Sequence, residues 1–444
     1  MATRLRGPKV ASDFDTLVAA ACRLSAADGV SVLDGGPEWG GAGFLAAWPE
    51  RRWSVRWLGG PATADALAAA LREFEAALGP HGPLGVVALG YEVAAALAAG
   101  ARAAAPTRRA ELGAPVADLA LYPAWIEMDW AAGDAHVRWA RGRGAQAEEL
   151  VANLSRAAGR PDFRFQLAAL EPAMRYPAYA AAVERVRGYI AAGDVYQLNL
   201  VNSHRAGFSG QPGALFRAAR TAAPAPYLAL LRRPEVDLVS LSPERFLARD
   251  GARVTAAPIK GTARRVADPQ ADALAARALA RDEKNRAENV MIADLFRSDL
   301  GRVAVPGGVR VTALAEVRSF PTVHHLVSEV EAELRPDVGL QELLRATLPS
   351  GSITGAPKLR AMELIAELEP EPRGFSMGVV GVFRSRELWE LSVAIRTLEL
   401  RGGLARYPVG GAITWDSAPE SEWDECAAKR AALEAALASQ EESA

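Results

Sequence analysis

From about residue 176 onward, short runs rich in β-branched and aromatic residues are mixed with amphipathic helical stretches, with no regular strand–helix–strand rhythm and no internal repeat. This pattern constrains the fold more than any other feature. A parallel sheet would impose that rhythm, so its absence argues for an α+β fold with a largely antiparallel sheet. The segment opens with YPAYAAAVERVRGYIAAGD, whose apolar Tyr179, Val183, Val186 and Ile190 recur at helical spacing before Gly193-Asp194 ends the helix. The strand-like VYQLNLVNSHRAGF follows.

Residues 1 to about 160 read differently. Alanine-rich helical sequence (ATADALAAALREFEAAL) alternates with short strand-like runs (WSVRWLG, AHVRWARG), and no catalytic motif stands out. The glycine-rich DGGPEWGGAG at 34–43 is not GxGxxG and reads as a loop. RGRGAQAEELVANLSRAAGRPDFRF reads as a surface helix and connector. The chain therefore divides into an N-terminal region, 1–165, and a catalytic region, 176–437. At ~100–200 residues per domain, 444 residues allow two or three domains, or one large unit with an N-terminal elaboration.

With 50% hydrophobic and 23% charged residues, the chain can bury a large core. A net charge of −2 without a basic stripe argues against nucleic acid or a membrane surface as partner. No window approaches 18 uninterrupted apolar residues, and Asp13, Asp15 and Arg23 interrupt any N-terminal signal-like stretch. Two distant cysteines, Cys22 and Cys426, do not make a disulfide framework and suit a reducing cytoplasm. CxxC, HExxH and GxSxG are missing, so zinc and serine hydrolases are unsupported.

Four constellations could carry chemistry. In DEKNRAENVMIADLFRSDLGRV, Met291, Ile292 and Leu295 mark a buried helical face that also carries Glu288. A carboxylate there is costly unless paired, protonated or metal-bound, and an arginine partner fits the spacing as well as a metal does. In WDSAPESEWDECAAKRAAL, Ser417 and Glu420 have capping-box spacing and Pro419 suits the first turn. Glu422 and Glu425 then share a face, with Lys429 a turn further; such a pair holds a divalent cation or is simply a solvated face. In PSGSITGAPKLRAMELIAEL, small residues lead into a helix start whose free N–H groups suit a carboxylate, or need only an ordinary cap. Without Gly-Lys-Ser/Thr it is no nucleoside triphosphate loop.

The fourth is PIKGTARR, where Lys260 closes a strand-like run before a turn. In a tight cavity, desolvation would lower its pKa and expose a nucleophilic amine; in the open it is an ordinary solvated lysine. His81, His136 and His204 have ordinary surroundings, whereas alternation in PTVHHLVSEV sends His324 and His325 to opposite faces.

In their order, AGDVYQLNL, SPERFL, PIKGTARR, KNRAENVMIADLFRSDLGRV, VHHLVSEVEAEL, PSGSITGAPKLRAMELI, LSVAIRTL and GGAITWDSAPESEWDE resemble the collinear motifs of the chorismate-binding family. That family includes anthranilate synthase component I, isochorismate and salicylate synthases, and aminodeoxychorismate synthase component I. The resemblance spans about Tyr176 to Leu437, while 1–160 corresponds by position only. It implies two packed antiparallel sheets with outer helices and a central cleft. It also implies Mg²⁺ held by Glu288, Glu422 and Glu425, the cation gripping the ring carboxylate of chorismate. Arg396 resembles the arginine that receives the enolpyruvyl carboxylate. Ser352, Thr354 and Gly355, the backbone of Gly410, Gly411 and Ala412, and also Lys429 and Arg302 correspond to substrate-binding positions. Glu244 resembles the general acid for the departing 4-hydroxyl, and His325 the active-site histidine.

Two positions divide the family by reaction. Isochorismate and salicylate synthases carry a water-activating lysine where this chain has Gln197, which argues against water as nucleophile. Anthranilate synthases typically read Pro-Ile-Ala-Gly-Thr, and the Lys260 form is typical of aminodeoxychorismate synthases. The resemblance thus implies amination of chorismate to 4-amino-4-deoxychorismate, towards 4-aminobenzoate and folate, through a covalent Lys260 intermediate. The chain shows no cysteine-centred elbow, so ammonia is expected from a separate glutamine amidotransferase subunit in a heterodimer. The alternatives are anthranilate synthase component I and, more remotely, a non-catalytic subunit of the same fold. Ser298 and Asn285 depart from the commoner family residues, as does GGAITWDS. The N-terminal Leu-Asp-Gly-Gly does not match the element tied to tryptophan feedback, so none is expected.

Overall fold

The computed structural model describes residues 13–35, 42–58, 60–97, 115–158 and 164–441. Their strands form two antiparallel sheets, one of twelve strands and one of ten. The sheets face each other, and the strand Leu84–Leu89 shows how sequence builds this layering. It is buried along its whole length. Side chains alternate along a strand, so Leu84, Val86 and Ala88 enter the layer between the sheets with Phe44, Tyr122, Trp125, Leu231 and Phe375. Val87 and Leu89 point the other way, into the larger cluster shared with the helices. A continuous apolar run is what a strand covered on both faces requires.

The longest pairing in the twelve-stranded sheet joins Gln197–Gly210 to Leu404–Ile413, from Leu198 opposite Ile413 to Gly207 opposite Leu404. Helix Tyr176–Ala191 buries Tyr179, Ala182, Val183 and Val186, and Ile190 is only partly covered. With helix Pro419–Glu441 it packs over the Leu404–Ile413 strand. The other sheet carries helix Glu283–Gly301 on strands Ala304–Ser319 and Val323–Leu334. No helix among the described residues is long and apolar enough to cross a membrane.

Strands from both sequence regions share both sheets. Ser31–Asp34, Ala42–Ala46, Ala124–Asp129 and Asp134–Trp139 extend the larger sheet, while Arg51–Val55, Leu84–Leu89 and Ala117–Tyr122 extend the smaller. Most of the glycine-rich 34–43 run lies outside the described residues. Cys22 and Cys426 are free and buried on helices.

Several local expectations are corrected. Helix Glu283–Gly301 buries Asn289, Ile292, Ala293, Phe296 and Leu300 most deeply. Glu288, Met291 and Leu295 lie half-buried on the adjacent stripe, where Glu288 borders a cleft. The capping box of Ser417 and Glu420 does not form. Ser417 Oγ accepts from the Thr414 amide at 3.0 Å and donates to Glu422 at 2.7 Å, while Glu420 accepts from the Tyr176 hydroxyl at 2.6 Å. Lys260, expected at a strand end, lies inside the strand Ile259–Arg264.

Candidate active site

A cleft of about 580 Å³ gathers most of the singled-out residues. Lys260 reaches it through a backbone irregularity. Strand Ile259–Arg264 pairs with Val323–Leu334, but the register shifts between Ile259 and Thr262. Gly261 in that bulge has φ 81°, a left-handed value that glycine adopts without a Cβ penalty. A Cβ there would also lie 2.9 Å from the Asn285 side chain. The bulge turns Lys260 toward the turn Gly351–Ile353, where its Nζ donates to the Ser352 carbonyl at 2.9 Å. Lys260 lines the cleft. Burial lowers its pKa below the ordinary lysine value, opposed by the charges of Glu288 and Glu244.

Glu244, 3% exposed, lines the same cleft. Its amide is held by Ser242 Oγ at 3.2 Å, and that hydroxyl donates to the Val393 carbonyl at 2.5 Å. Oε1 of Glu244 has no hydrogen-bond partner. Burial raises its pKa to about 7, with the Ser352 side chain and the charge of Lys260 opposing only in part. At neutral pH this cleft-lining carboxyl is therefore partly protonated, the state a proton donor needs.

The histidine pair divides as alternation requires. His325 lines the cleft with Nδ1 2.9 Å from Thr262 Oγ1. Burial and the nearby Arg396 charge lower its pKa to about 4, so the ring is neutral. His324 turns away, with Nδ1 2.8 Å from Ser319 Oγ and Nε2 3.1 Å from Asp272. Arg396 also lines the cleft, with φ 51°. A non-glycine residue in that region costs about 1–3 kcal/mol and persists only where its surroundings impose it.

The remaining wall is backbone. A Cβ on Gly410 would lie 2.2 Å from the Leu200 carbonyl, and one on Gly411 would lie 3.1 Å from Glu422 Oε2 and 3.5 Å from Glu425 Oε1. Glycine thus lets two carboxylates approach the strand. Lys429 Nζ donates to the Gly410 carbonyl and pairs with Glu425, both at 2.6 Å. Glu288 and Glu425 line the cleft; Glu422 sits behind them, 4% exposed and 3.9 Å from Lys284. Burial raises the pKa of Glu288 and of Glu422, and repulsion among the three glutamates adds to it. Among the described residues no three His, Cys, Asp or Glu side chains are gathered closely enough to hold a metal ion by themselves. An all-oxygen set of spaced carboxylates suits a cation that keeps waters and takes a further ligand from substrate, as Mg²⁺ does.

Ser352 and Ala412 also line the cleft. Other expected residues do not. Gln197 is 1% exposed and lies beneath it, paired with Ala356, and its Oε1 has no partner. Thr354 and Gly355 stand behind the Ser352 turn: Thr354 Oγ1 donates to Ser350, its carbonyl accepts from the Asn199 amide at 2.8 Å, and Gly355 pairs with Leu198. The helix start at Lys358 likewise offers no anion site to the cleft, which Ser352 and Ile353 line instead. Arg302 is misplaced as a substrate ligand. It caps the 283–301 helix, donating to the Ala346 carbonyl and to Asp299 at 3.4 Å, outside the cleft.

The cleft adds residues that the motifs did not single out. Asn199 follows Gln197 by two on the same strand face, and Lys284 precedes Glu288 by four on the same helix, so both spacings were legible. Met377, with φ 69°, and Tyr407 gave no signal.

The chain matches the chorismate binding enzyme family over residues 46–435. It is 44% identical over 247 residues to aminodeoxychorismate synthase component 1 of Escherichia coli, covering 56% of this chain and 54% of that protein. It is 43% identical over 256 residues to anthranilate synthase component 1 of Thermus thermophilus, covering 58% and 55%. The matched stretch spans about half the length of these curated relatives. The fold likeness is wider. The crystal structure of anthranilate synthase component I from Streptococcus pneumoniae aligns with TM-score 0.74 at 26% identity, over 88% of this chain and 92% of that one.

Proposed function

This chain belongs to the chorismate-binding enzyme family, and on that premise we propose that it aminates chorismate at C4, giving 4-amino-4-deoxychorismate with Lys260 as nucleophile. The observation that carries the proposal is the Lys260 amine, turned into the cleft by a bulge and sharing that cleft with the buried Glu244 carboxyl. Identity alone does not separate amination at C4 from anthranilate formation, since relatives of both names match almost equally. Lys260 separates them, because it stands where anthranilate synthases typically have alanine.

Each group has a part in the reaction. Arg396 offers a guanidinium fork to the enolpyruvyl carboxylate. Glu288, Glu425 and Glu422 would hold Mg²⁺, which when bound neutralises the ring carboxylate of the substrate. The free amine of Lys260 forms a bond to C2, both conjugated ring double bonds shift by one position, and the C4–O bond breaks. Glu244 gives its proton to the departing hydroxyl, which leaves as water. Ammonia then adds at C4, both double bonds shift back, and the C2–N bond to Lys260 breaks. The proton shed by the incoming ammonia restores Glu244, so chorismate and ammonia give the amino product and water. Two moderate steps replace one hard displacement. His325, kept neutral, adds no further positive charge beside Arg396. Gln197 supplies no base to activate water.

Ammonia would come from a separate glutamine amidotransferase subunit, and the product would serve 4-aminobenzoate and folate synthesis in the cytoplasm. The test is product analysis with chorismate, Mg²⁺ and ammonium. 4-Amino-4-deoxychorismate is expected. Anthranilate with pyruvate from this chain alone would overturn the proposal, and no turnover at all would leave a non-catalytic subunit.

A further inference from the structure

Arg373 is 2% exposed and contributes nothing to the cleft surface, yet it holds two cleft-lining elements together from behind. Its Nη1 donates to the Ile353 carbonyl at 2.5 Å and its Nη2 to the Asn199 carbonyl at 2.7 Å. Nε and Nη2 also make a bidentate pair with Glu369, at 2.9 and 2.6 Å. Glu369 in turn accepts from the Val201 amide at 2.9 Å. The N-terminal region completes the cage. The Tyr91 ring lies 4.5 Å from the guanidinium carbon, and Glu92 accepts from the Arg373 amide at 2.8 Å.

Ile353 and Asn199 belong to different elements, the turn Gly351–Ile353 and the strand Gln197–Gly210. The carbonyl next to Ile353 is that of Ser352, the one that accepts from Lys260. We propose that Arg373 is a positioning residue for the reaction: by fixing the Ile353 carbonyl against the 197–210 strand, it sets where the Ser352 carbonyl holds the Lys260 amine. Only a guanidinium can form the bidentate pair and reach two carbonyls at once; a lysine ammonium is a point charge that cannot keep this geometry. A misplacement near 1 Å away from the reacting atoms can cost about 100-fold in rate. Through Tyr91 and Glu92, the N-terminal region thereby helps to set the geometry of the amine. The inference rests on Lys260 acting as proposed above.

The test uses the full chain with chorismate, Mg²⁺ and ammonium. Arg373→Lys should lower kcat by about 100-fold, while KM for chorismate, set mainly by the charged groups proposed to grip its carboxylates, changes less than about threefold. The fraction of Lys260 adduct seen by mass spectrometry of the quenched enzyme should fall with kcat. In Arg373→Ala, millimolar guanidinium should restore part of the lost kcat. Glu369→Gln, which keeps the side-chain volume, should lower kcat in the same sense and covers the case in which the arginine variants do not fold. Unchanged kcat in folded Arg373→Lys and Glu369→Gln would overturn the inference, as would loss that follows only the folded fraction without guanidinium rescue. Wild-type enzyme without activity, or without Lys260 adduct, would instead refute the reading on which it rests.

Discussion

The buried carboxyl of Glu244 should make the protein more stable when it is removed, and less active. Its ordinary value near 4.5 is raised to about 7 because burial disfavours the ionised form. Sign follows from linkage. With the folded pKa above the unfolded one, the contribution of Glu244 is fully present below pH 4.5 and is lost as pH rises through about 7. A shift of this size corresponds to about 3 kcal/mol at pH 8, at ~1.36 kcal/mol per unit. Glu244→Gln keeps the shape and cannot ionise, so the variant escapes the loss. The assay is denaturant unfolding of wild type and variant at pH 5 and pH 8, taking the difference between the two proteins at each pH so that all other titrations cancel. The variant should gain about 2–3 kcal/mol on wild type between the two pH values. It should also lose about 10²–10⁴-fold in kcat with chorismate and ammonium, the usual worth of a general acid. A pH-independent difference would refute the buried, raised carboxyl. A fully active variant would refute its role as proton donor.

Three further outcomes follow from the same geometry. Lys260→Ala should abolish the protein-bound adduct and either cripple turnover or divert it to direct amination at C2, read by mass spectrometry and product analysis; an unchanged rate of 4-amino-4-deoxychorismate formation would end the covalent mechanism. Glu425→Gln should weaken Mg²⁺ binding about tenfold or more by calorimetry in the presence of chorismate, and unchanged affinity would remove Glu425 from the ligand set. Phe246→Ala, fully buried and with its ring 6.0 Å from that of Phe296, should cost about 3–5 kcal/mol in denaturant unfolding, whereas a cost below 1 kcal/mol would show that the core behind Glu244 collapses into the space.

Local periodicity made much of this molecule legible. The helix at 176–191 and the opposite facing of His324 and His325 each depend on residues within a turn or a pleat of one another. The antiparallel architecture followed from the lack of a strand–helix–strand rhythm. Spacing alone left Lys260, Glu288, Glu422 and Glu425 open, and the roles proposed for them come from the collinear resemblance. What escaped depends on partners distant in sequence. Ser417 has a capping residue's identity but serves Glu422. Arg302 is a cationic residue in a recognisable motif, yet its nearest carbonyl comes from residue 346. Gln197, expected at the site, lies just beneath the cleft surface, which strand alternation alone does not reveal.

The deeper reason is where the chain changes sheets. Between Asp237–Ser242 and Arg245–Asp250 it passes from the larger sheet to the smaller, and between Leu388–Val393 and Thr397–Arg401 it passes back. Both crossings lie side by side. The Val393 amide donates to the Glu244 carbonyl and the Leu241 amide to the Arg396 carbonyl, each at 3.0 Å, while Ser242 Oγ donates to the Val393 carbonyl. Each crossing interrupts the regular ladder and brings two residues to the cleft wall: Pro243 and Glu244 from the first, Ile395 and Arg396 from the second. The left-handed backbone at Arg396 belongs to this junction, where neighbouring strands fix the chain on either side and strain is held in place. The proposed proton donor and the proposed anion receptor are thus set by the same pair of interlocked crossings. Neither side chain can shift without disturbing the seam between two sheets, and that rigidity is what a site needs if it is to protonate one oxygen of a substrate while gripping a carboxylate elsewhere on it.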